Sequence, residues 1–451
     1  MAPRARLALK TAAAATLLAL LSAVPTAGAV SRISRAHGFV PHQLLVRFAG
    51  KRSARTVHLP PGVSVRHAAT ALRRSPRVAY AVPNYVATAS APLDVSREIP
   101  NDTGTIEAPP GPPGGWVDKQ WNFLPWEGVP SALLPVSPGG IDAPAAWAHL
   151  AAVRRPGAEG VTVAVLDTGI AYRPLGHRFR RSPDFTAGQF AKGYDFVERD
   201  RVPLDENGHG THVAGTIGEK TNNGLGLTGL AYRAKLMPVR VLDRQGRGQA
   251  DDIARGIRFA TAHGADVINM SFNFGCGRNV PGVDEALQQA YDRGVVAVAS
   301  VGNLGSEACV SPPATSSHVI GVGGSTEGGC IGDYSLAGEG VDVLAPGGGN
   351  PAAGCPSVSA SAIYQVTLVS TSTRRFGEPG DFVGTSMAAA HVSGVAAMVL
   401  ASGTLSRKLK GRAKVAAVIR RLRQTARDLT LPATRQGAGL IDAGRATLPN
   451  G

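Results

Sequence analysis

The sequence predicts an α/β protein of three layers, in which a mostly parallel β-sheet is covered by helices on both faces. Two observations indicate this class. From residue 161 onward, short apolar runs alternate with longer helical patterns, as expected for buried parallel strands and their crossover helices. The chain also has 451 residues, of which 43% are hydrophobic and 18% charged, so it can bury a large core.

The first 29 residues have the pattern of a secretory signal peptide. Three basic residues within the first ten precede an apolar run over residues 11–24, and the small residues Ala27–Ala29 follow. The apolar run is too short to span a bilayer, and the basic start with a small-residue end is typical of a cleaved leader. We therefore expect residues 1–29 to be removed and the protein to be secreted, with no membrane anchor and no further span along the chain.

The next two segments differ in composition. Within residues 30–95, alternating apolar positions predict a strand at Leu44–Phe48, a helix at His67–Arg74 and a second strand at residues 78–86. Residues 96–140 are rich in Pro and Gly, which predicts a linker or an irregular loop. The residues themselves do not decide whether the first segment is removed or stays as a permanent domain.

The net charge of +15 is unevenly distributed along the chain. The first 30 residues contain three basic and no acidic residues, residues 31–99 carry a net charge of +9, and residues 100–451 carry +3. A nucleic-acid partner needs a persistent basic face, and here most of the excess lies in segments that we expect to be removed. We therefore expect no nucleic-acid partner and interpret the basic stretch 407–427 as a solvated helix face.

The remainder of the chain contains five predicted strands and five predicted helices. The strands are Val161–Leu166, Lys235–Leu242, Ala265–Phe272, Val295–Val301 and Val319–Val322, and the helices are His209–Ile217, Asp251–His263, Gly282–Arg293, Ser386–Ala401 and Arg412–Ala426. In three short segments a polar residue stands at the end of a predicted strand or at the start of a predicted helix.

Three such residues supply an acid, an imidazole and a hydroxyl. Asp167 ends a strand in Asp-Thr-Gly, His209 opens a helix in Gly-His-Gly-Thr-His, and Ser386 opens another in Gly-Thr-Ser-Met-Ala. These are the components of a Ser/His/Asp hydrolase. In such a site His209 removes the proton that makes a hydroxyl a weak nucleophile, and Asp167 fixes the tautomer of His209.

Each of these residues also has a simpler interpretation. Ser386 alone could cap a helix, and His209 with His212 could bind a metal, although no third ligand or HExxH context accompanies them. Asp-Thr-Gly is also the signature of aspartic proteases, which need two such motifs, and it occurs here at residues 102–104 and 167–169. The first copy lies in the Pro/Gly-rich segment rather than at the end of a predicted strand. The presence of all three segments in one chain favours the hydrolase.

The three segments resemble those of subtilisin-like serine proteases, the subtilases, which have the same chain order Asp, His, Ser. The resemblance covers most of the chain, since Gln120-Trp-Asn-Phe resembles the opening of many mature subtilase domains and residues 437–444 resemble the usual end. It implies a subtilisin-like fold with a catalytic domain at residues 141–451. Residues 96–140 would then be an N-terminal extension of the mature enzyme.

The end of the first segment also resembles a subtilase feature. The sequence Val78-Ala-Tyr-Ala-Val-Pro-Asn-Tyr-Val is similar to the end of the family's propeptide. This implies that residues 30–95 form a small α+β propeptide, which assists folding and inhibits the enzyme until it is cleaved. We expect cleavage near residues 88–100.

The resemblance implies further site residues. Asn303, after a strand that ends in a glycine turn, would donate to the oxyanion together with the backbone N–H of Ser386. The substrate would lie as an extended strand between two segments. These segments are Ser271, Phe272 and Asn273 on one side and Ser300, Val301 and Gly302 on the other. In two places the chain departs from the family: Phe272 and Asn273 replace a common Leu-Gly, and Ala390 replaces a common Pro.

The loop Thr221–Gly229 resembles the loop that binds a structural calcium in subtilisins. Calcium takes about six to eight oxygen ligands from carboxylates, amides and carbonyls. The implied ligands are the carboxylate of Asp184, the side chain of Asn223 and the carbonyls of Thr221, Leu225 and Leu227, with Asp102 as a weaker addition. An ordinary Asn-Gly turn would explain the same loop without a metal. For catalysis itself we expect no cofactor.

Four cysteines, Cys276, Cys309, Cys330 and Cys355, lie in the predicted catalytic region without a CxxC motif or a Cys/His cluster. Export favours two disulfides, and four cysteines allow three pairings between which sequence does not choose. As a working prediction we pair Cys276 with Cys309, because both follow strands that should be neighbours. Cys330 then pairs with Cys355.

Together these features predict a secreted serine endopeptidase that is made as a zymogen. It would act as a monomer on protein and peptide substrates, with its own propeptide as inhibitor. Two other functions stay open: a transpeptidase or cyclase that uses the same acyl-enzyme, and a non-catalytic binding module on the same scaffold. A binding module is expected to have lost a triad residue or the oxyanion donor, whereas this chain keeps all four.

Overall fold

The computed structural model describes residues 39–51, 53–85, 99–128, 130, 134–305, 309–356, 360–370 and 372–449. The predicted signal peptide and most of the predicted cleavage region lie outside the described residues. The chain divides into two compact units, Met1–Pro92 and Leu93–Gly451. Each unit has its own sheet and is described by itself.

The first unit is a three-stranded antiparallel sheet with one helix packed against it. Its elements are β1 (Phe39–Phe48), β2 (Arg55–His58), α1 (Val65–Arg73) and β3 (Val78–Tyr85), and the strand order is β2-β1-β3. The side chain of Ser64 caps α1 by accepting a hydrogen bond from the N–H of His67 at 3.4 Å. The predicted strands and helix are present. The sequence analysis misses β2, since only Val57 of its four residues is buried.

The second unit is built on a seven-stranded sheet in which all paired strands are parallel. The strands are β4 (Thr162–Asp167), β5 (Tyr194–Asp195), β6 (Lys235–Arg240), β7 (Val267–Met270), β8 (Val296–Ser300), β9 (Val319–Ser325) and β10 (Val343–Pro346). Their order is β10-β9-β8-β7-β4-β6-β5. The five predicted strands are present, with ends that differ by up to three residues. The two missed strands, β5 and β10, are the short edges of the sheet.

Helices and one small ribbon complete this unit. The helices are α2 (Ala143–Ala152), α3 (His209–Gly218), α4 (Ala250–Ala262), α5 (Pro281–Asp292), α6 (Thr385–Ser402), α7 (Gly411–Thr425), α8 (Ala433–Gln436) and α9 (Ala443–Thr447), and the ribbon pairs β11 (Thr367–Leu368) with β12 (Phe376–Gly377). The five predicted helices are present, with every end within one residue of the prediction. The sequence analysis misses α2, whose buried residues Ala145, Trp147 and Leu150 belong to a helix with no clear polar face.

Alternate residues of the central strand face two separate hydrophobic cores. Val163 and Val165 of β4 pack in a core that contains the apolar residues of α3 and α6, whereas Ala164 and Leu166 pack in a core with α4 and α5. Successive side chains of a strand point to opposite faces, so these two cores lie on the two sides of the sheet. The predicted class, a parallel sheet covered by helices on both faces, is confirmed.

The helix α6 corrects one expectation. By length and composition alone it is apolar enough to cross a bilayer, whereas the sequence analysis expects no such segment after the leader. In the structure, 83% of its 18-residue apolar window is buried inside the unit. Its apolar surface is thus already covered by the sheet and by neighbouring helices.

The Pro/Gly-rich segment before the sheet is part of the core. It contains two short 3₁₀ turns, Gly115–Asp118 and Trp121–Phe123. Trp116 and Phe123 are fully buried, and their rings lie 5.8 and 6.2 Å from that of Trp147 in α2. The segment is irregular, as predicted, but the linker interpretation is wrong. Despite the Pro and Gly content of the segment, its aromatic side chains are buried in the hydrophobic core.

Candidate active site

Polar residues from neighbouring strands meet at one edge of the large sheet. Asp167 is the last residue of β4, Ser271 follows β7, and Asn303 follows β8 by three residues. These three parallel strands are consecutive in the sheet, so their carboxyl ends lie side by side. The helices α3 and α6 begin at the same edge, with His209 and Ser386 in their first turns.

Asp167 and His209 form a hydrogen-bonded pair. His209 Nδ1 lies 2.7 Å from Asp167 Oδ1, and the same oxygen accepts the N–H of Thr168 at 2.8 Å. Asp167 is fully buried, while 26% of the His209 side chain is exposed. With Nδ1–H donating to the carboxylate, Nε2 is left unprotonated and can act as a base.

A second buried carboxylate, Asp205, fixes the loop that precedes His209. Its two oxygens accept five hydrogen bonds of 2.6 to 3.0 Å from Thr168 Oγ1, the N–H of Asn207, the N–H of Gly208, and the N–H and Oγ1 of Thr211. The turn into α3 also needs Gly208, whose φ of 105° favours glycine. The sequence analysis does not identify Asp205, although Asp-Glu-Asn-Gly before a helix is typical of an Asx turn.

Opposing effects act on the pKa of His209. Burial lowers it, whereas the charge and hydrogen bond of Asp167, with the charge of Asp205, raise it, and the balance is a pKa above the ordinary 6.5. The imidazolium that forms when His209 takes a proton is therefore stabilised. His212 differs, because burial lowers its pKa to about 3 while its Nε2 donates to the carbonyl of Ile363 at 2.9 Å.

Ser386 lies in the first turn of α6, after Gly384. A Cβ on Gly384 would lie 2.8 Å from Asn303 Nδ2, and its φ is 146°, so this position requires glycine. Ser386 Oγ donates to the carbonyl of Ser271 at 3.0 Å. Within the described part of the chain, no hydrogen bond joins Ser386 to His209. Rotation about the Cα–Cβ bond of the serine changes the partner of Oγ, and such bonds are often made only when substrate is bound.

A chain of buried side chains connects the backbone of Ser386 to the sheet. Ser393 Oγ donates to Asn269 Oδ1 at 2.9 Å, Asn269 Nδ2 donates to Ser271 Oγ at 3.0 Å, and Ser271 Oγ donates to the carbonyl of Ser386 at 2.8 Å. Asn269 and Ser393 are fully buried. These bonds join α6 to β7 and hold the first turn of α6 in position at the carboxyl edge of the sheet. The sequence analysis misses Asn269 and Ser393.

The side-chain amide of Asn303 has a defined orientation. Its Oδ1 accepts the N–H of Thr385 at 2.9 Å and Thr385 Oγ1 at 2.7 Å. Thr385 Oγ1 in turn accepts the N–H of Gly302 at 3.2 Å. Because the oxygen end is held by α6, the exposed amide presents Nδ2 as its donor. This is the orientation that the predicted oxyanion donor requires.

The two predicted substrate segments differ in how much of their backbone is available. Asn273, in the first segment, is exposed. In the second segment, the N–H of Val301 donates to the carbonyl of Val322 and its own carbonyl accepts the N–H of Ser311, both at 3.1 Å. Val301 is fully buried, so no backbone group there is free to pair with a substrate, contrary to the prediction.

Comparison with known proteins identifies the family. A sequence model of the subtilase family (Peptidase_S8) matches residues 158–439. The chain belongs to the subtilase family. A thermophilic serine proteinase of Bacillus sp. (strain AK1) is 34% identical over 334 residues, which are 74% of this chain and 66% of that protein. Thermitase of Thermoactinomyces vulgaris is 35% identical over 266 residues, which are 59% of this chain and 82% of thermitase.

Solved structures support the same family. A protease of Pseudoalteromonas arctica is similar with a TM-score of 0.59 and 29% identity, over 77% of this chain and 98% of that one. A cold-adapted subtilisin-like serine proteinase is similar with a TM-score of 0.50 and 29% identity, over 64% of this chain and 90% of the other. The predicted subtilisin-like fold is confirmed. The match spans just under two thirds of the Bacillus proteinase, 66% of its length.

The disulfides of this subtilase flank the candidate site. Cys276 is joined to Cys309 and Cys330 to Cys355, with Cα–Cα distances of 5.5 and 6.0 Å. Both pairs are the predicted ones. The first disulfide connects the segment after β7 to the segment after β8, and the second connects the loops that follow β9 and β10. They therefore restrain loops at the carboxyl edge of the sheet.

Buried carboxylates hold the loop that resembles a calcium site in subtilisins. Asp184 Oδ1 accepts Asn223 Nδ2 at 2.7 Å, and Asp184 Oδ2 accepts the N–H of Leu227 at 2.9 Å. Asp102 accepts the N–H groups of Asn222 and Asn223 at 3.1 and 3.0 Å. Burial raises the pKa of Asp184 well above its usual range and the pKa of Asp102 to about 6.

Subtilases often bind structural calcium, and the chemistry of this region fits that ion. Glu219 and Glu378 add their charges to those of the two aspartates, and Glu219 Oε2 is buried without a hydrogen-bond partner. The concentration of buried oxygen anions suits a hard cation. However, among the described residues no three His, Cys, Asp or Glu side chains are close enough to hold a metal by themselves. Amide and carbonyl oxygens would have to complete the ligand set.

Proposed function

We propose that this subtilase is a secreted serine endopeptidase that is made as a zymogen. The observation that carries the proposal is the hydrogen bond of 2.7 Å between His209 Nδ1 and the buried Asp167 Oδ1, with Ser386 and Asn303 at the same sheet edge. Together these residues supply a base, an orienting acid, a nucleophile and an oxyanion donor. Family membership supports the same chemistry, since the Bacillus relative and the cold-adapted protein named above are both described as serine proteinases.

The reaction begins with rotation of Ser386 Oγ from the carbonyl of Ser271 to His209 Nε2. His209 takes the hydroxyl proton as Oγ attacks the scissile carbonyl, and the Asp167 charge stabilises the imidazolium. Asn303 Nδ2 and the N–H of Ser386 stabilise the oxyanion. His209 then gives its proton to the leaving amine, and water, activated by the same histidine, hydrolyses the acyl-enzyme.

The substrate is held as an extended strand along Ser271–Asn273. The segment Ser300–Gly302 does not pair with the substrate backbone, because Val301 is buried and its N–H and C=O are already hydrogen-bonded. It lines the opposite side of the substrate groove. In the absence of substrate, Ser386 Oγ donates a hydrogen bond to the carbonyl of Ser271. A substrate N–H that takes this carbonyl would release the hydroxyl toward His209.

Maturation removes the leader and then the propeptide, residues 30–95, by cleavage near residues 88–100. The test is intact mass and N-terminal sequence of the purified protein over time, with wild type beside Ser386→Ala. We expect the wild type to lose the N-terminal segment and the variant to stay full length. If both stay full length and neither cleaves a peptide substrate, the endopeptidase proposal is wrong. If both are shortened equally, another protease carries out the maturation.

We also propose that Ca²⁺ is bound at the loop Thr221–Gly229. Asp184, Asn223 and the carbonyls of Thr221, Leu225 and Leu227 would hold it, with Asp102 as a further ligand, and the ion would neutralise buried negative charge. The test uses the inactive Ser386→Ala protein, so that self-digestion does not contribute. We expect EGTA to lower its Tm and Ca²⁺ in excess to restore it, and Asp184→Asn to abolish the difference. An unchanged Tm in EGTA would contradict the proposal.

A further inference from the structure

A cavity beside the edge strand β5 is not used by the proposed mechanism. It has a volume of about 870 Å³ and lies between β5, the turn that follows it, and α4. Five lysine or arginine residues and one histidine line it, and no acidic residue does. Since residues 100–451 carry a net charge of only +3, this concentration of positive charge is local.

Four of these cations have no acidic partner. Arg173, Lys192, Arg199 and Arg201 are exposed and form no ion pair with any carboxylate of the described residues. Arg255 is paired with Asp251 at 3.1 Å and with Asp252. Glu198 and Asp200 are exposed in the same turn as Arg199, but four cations against two carboxylates leave positive charge in excess. Excess positive charge around a concave surface raises the local concentration of anionic groups.

The arginines at the rim are presented by a rigid turn. Asp195, only 1% exposed, accepts the N–H groups of Val197 and Glu198 at 2.8 and 2.9 Å and pairs with Arg240 at 3.0 Å. Arg199, at the tip of this turn, has a φ of 59°. The left-handed conformation is unfavourable for a non-glycine residue, so the hydrogen bonds of the turn hold Arg199 in place against its own preference.

Aromatic rings form the floor of the cavity. The rings of Tyr194 and Phe196 are 4.7 Å apart, and each lies within 6.0 Å of the Phe259 ring. His263 stacks on Phe259 at 3.9 Å. These side chains are half-buried or exposed, so they offer apolar surface and ring faces to a ligand.

The cavity lies within reach of a polypeptide bound at the active site. In the register of the sheet, Asp167 of β4, Arg240 of β6 and Asp195 of β5 lie at one level. Neighbouring strands are about 4.8 Å apart, so β5 is roughly 10 Å from the strand of the catalytic acid. An extended chain covers about 3.3 Å per residue, so roughly three to six residues bridge the distance from the scissile bond to the cavity.

We propose that this cavity is an exosite that binds an acidic segment of the polypeptide substrate. Carboxylates of the segment pair with Arg199, Arg201, Lys192 and Arg173, and an aromatic or large apolar side chain packs on the ring floor. The inference rests on the proposed endopeptidase function. Because the exosite contacts residues remote from the reacting bond, it lowers KM and leaves kcat unchanged.

The test compares peptides with one cleavable core. One carries an Asp-Glu-Phe-Glu extension and the other the neutral Asn-Gln-Phe-Gln, each placed before the core and, in a second pair, after it. For wild type we expect the acidic extension on one side to lower KM about tenfold, because it forms several exposed ion pairs, each of modest strength. High salt should remove the advantage, since exposed charges are screened.

The double variant Arg199→Glu/Arg201→Glu should lose this advantage and cleave the neutral peptide normally. The control is Arg407→Glu/Lys408→Glu, in the loop before α7, which changes the net charge by the same amount. This variant should keep the lower KM for the acidic peptide. The exosite is wrong if wild type shows no preference for the acidic extension, if the double variant retains it, or if the control variant loses it as well.

Direct binding separates this inference from the peptidase proposal. The labelled extension alone is titrated into Ser386→Ala protein and into the same protein with both arginines reversed. Saturable binding that the reversal abolishes supports the exosite even if no peptide is cleaved. Absence of binding overturns it, and so does tighter binding of a single-stranded oligonucleotide of equal charge, which would assign the surface to another class of partner.

Discussion

Two buried carboxylates act on His209. Asp205 accepts four hydrogen bonds from the loop and the first turn of α3, and a fifth from Thr168, the residue after Asp167. Asp205 thus positions the imidazole, and its charge adds to that of Asp167 in raising the pKa of His209.

Replacing Asp205 with Asn should shift the acid limb of the pH profile of kcat/KM to lower pH. His209 must be neutral to accept a proton, and its pKa lies above 6.5 partly because of the charge of Asp205. Asn keeps an oxygen acceptor and removes the charge, so the neutral histidine persists at lower pH. Profiles between about pH 5 and 9 measure the midpoint. Glu285→Gln, at an exposed carboxylate, should leave it unchanged, and an unmoved limb in the Asp205 variant would contradict this.

The link between α6 and β7 gives a second prediction at this scale. Ser393→Ala leaves Asn269 Oδ1 buried without its donor, which should cost about 1–3 kcal/mol of unfolding free energy. Ser402→Ala, in the same helix, removes a hydroxyl that bonds only to nearby groups, Val399 and Thr404, and should cost less. Urea unfolding of both variants in the Ser386→Ala background compares them. Equal losses would mean that the bond across to the strand adds nothing.

Among the elements, the segment before the sheet contributes more than its composition indicates. Two of its aromatic residues pack edge-on against Trp147 of α2. Its tryptophan Trp121 also donates to the carbonyl of Ala362 at 3.0 Å, across the unit. The segment therefore anchors α2 to the core that lies under α6.

Trp116→Ala should destabilise the unit by about 3–5 kcal/mol, the cost of removing a large buried ring. Leu175→Ala, at a side chain that is 42% exposed, should change stability by less than about 0.5 kcal/mol. Denaturant unfolding of the inactive protein measures both. A small effect at Trp116 would show that the segment is dispensable for the fold of the unit.

At the scale of the whole second unit, two carboxylates join its first and last helices. Asp142 precedes α2 in a left-handed conformation with a φ of 56° and lies against Gly444 of α9. Asp442 caps α9 by accepting the N–H of Arg445 at 2.7 Å, and it also accepts Trp126 Nε1 at 2.8 Å. Burial, and then the charge of Asp442, raise the pKa of Asp142 to about 6.

Asp142→Asn should therefore stabilise the protein above pH 6. A carboxyl whose pKa rises from 3.8 to about 6 on folding favours the folded state at low pH, and this contribution is lost as the pH rises through 6. Asn cannot ionise and tolerates the left-handed conformation, so the gain should be roughly 1–3 kcal/mol at pH 8 and should disappear near pH 4. Urea unfolding at both pH values tests this, and a gain that persists at pH 4 would have another cause.

The sequence was sufficient for the class of fold and for the candidate triad, because long amphipathic patterns and three short motifs are local signals. It failed where the signal is not local. The edge strands β5 and β10 are too short for a pattern, and the helix α2 has no polar face. Asn269 and Ser393 are 124 residues apart, so only the folded chain shows that they are bonded.

The backbone at Val301 illustrates another limit. The motif there matches the family, but whether its N–H and C=O are free depends on which strand lies beside it, and that neighbour is β9. The sequence analysis missed the burial of the Pro/Gly-rich segment for a similar reason. Composition does not show that its few tryptophans pack in the core. Register and burial are properties of the assembled sheet rather than of any one motif.

The alternation of β4 between two cores has a consequence for Asp167. Asp167 has the same parity along the strand as Val163 and Val165, so it points to the side on which α3 carries His209. The face to which Asp167 points is thus set by the number of residues that separate it from Val163 and Val165 in the strand. Inserting one residue between Val165 and Asp167 would turn either the carboxylate or the preceding β4 side chains to the opposite face of the sheet, whereas an insertion of two would restore their alternation.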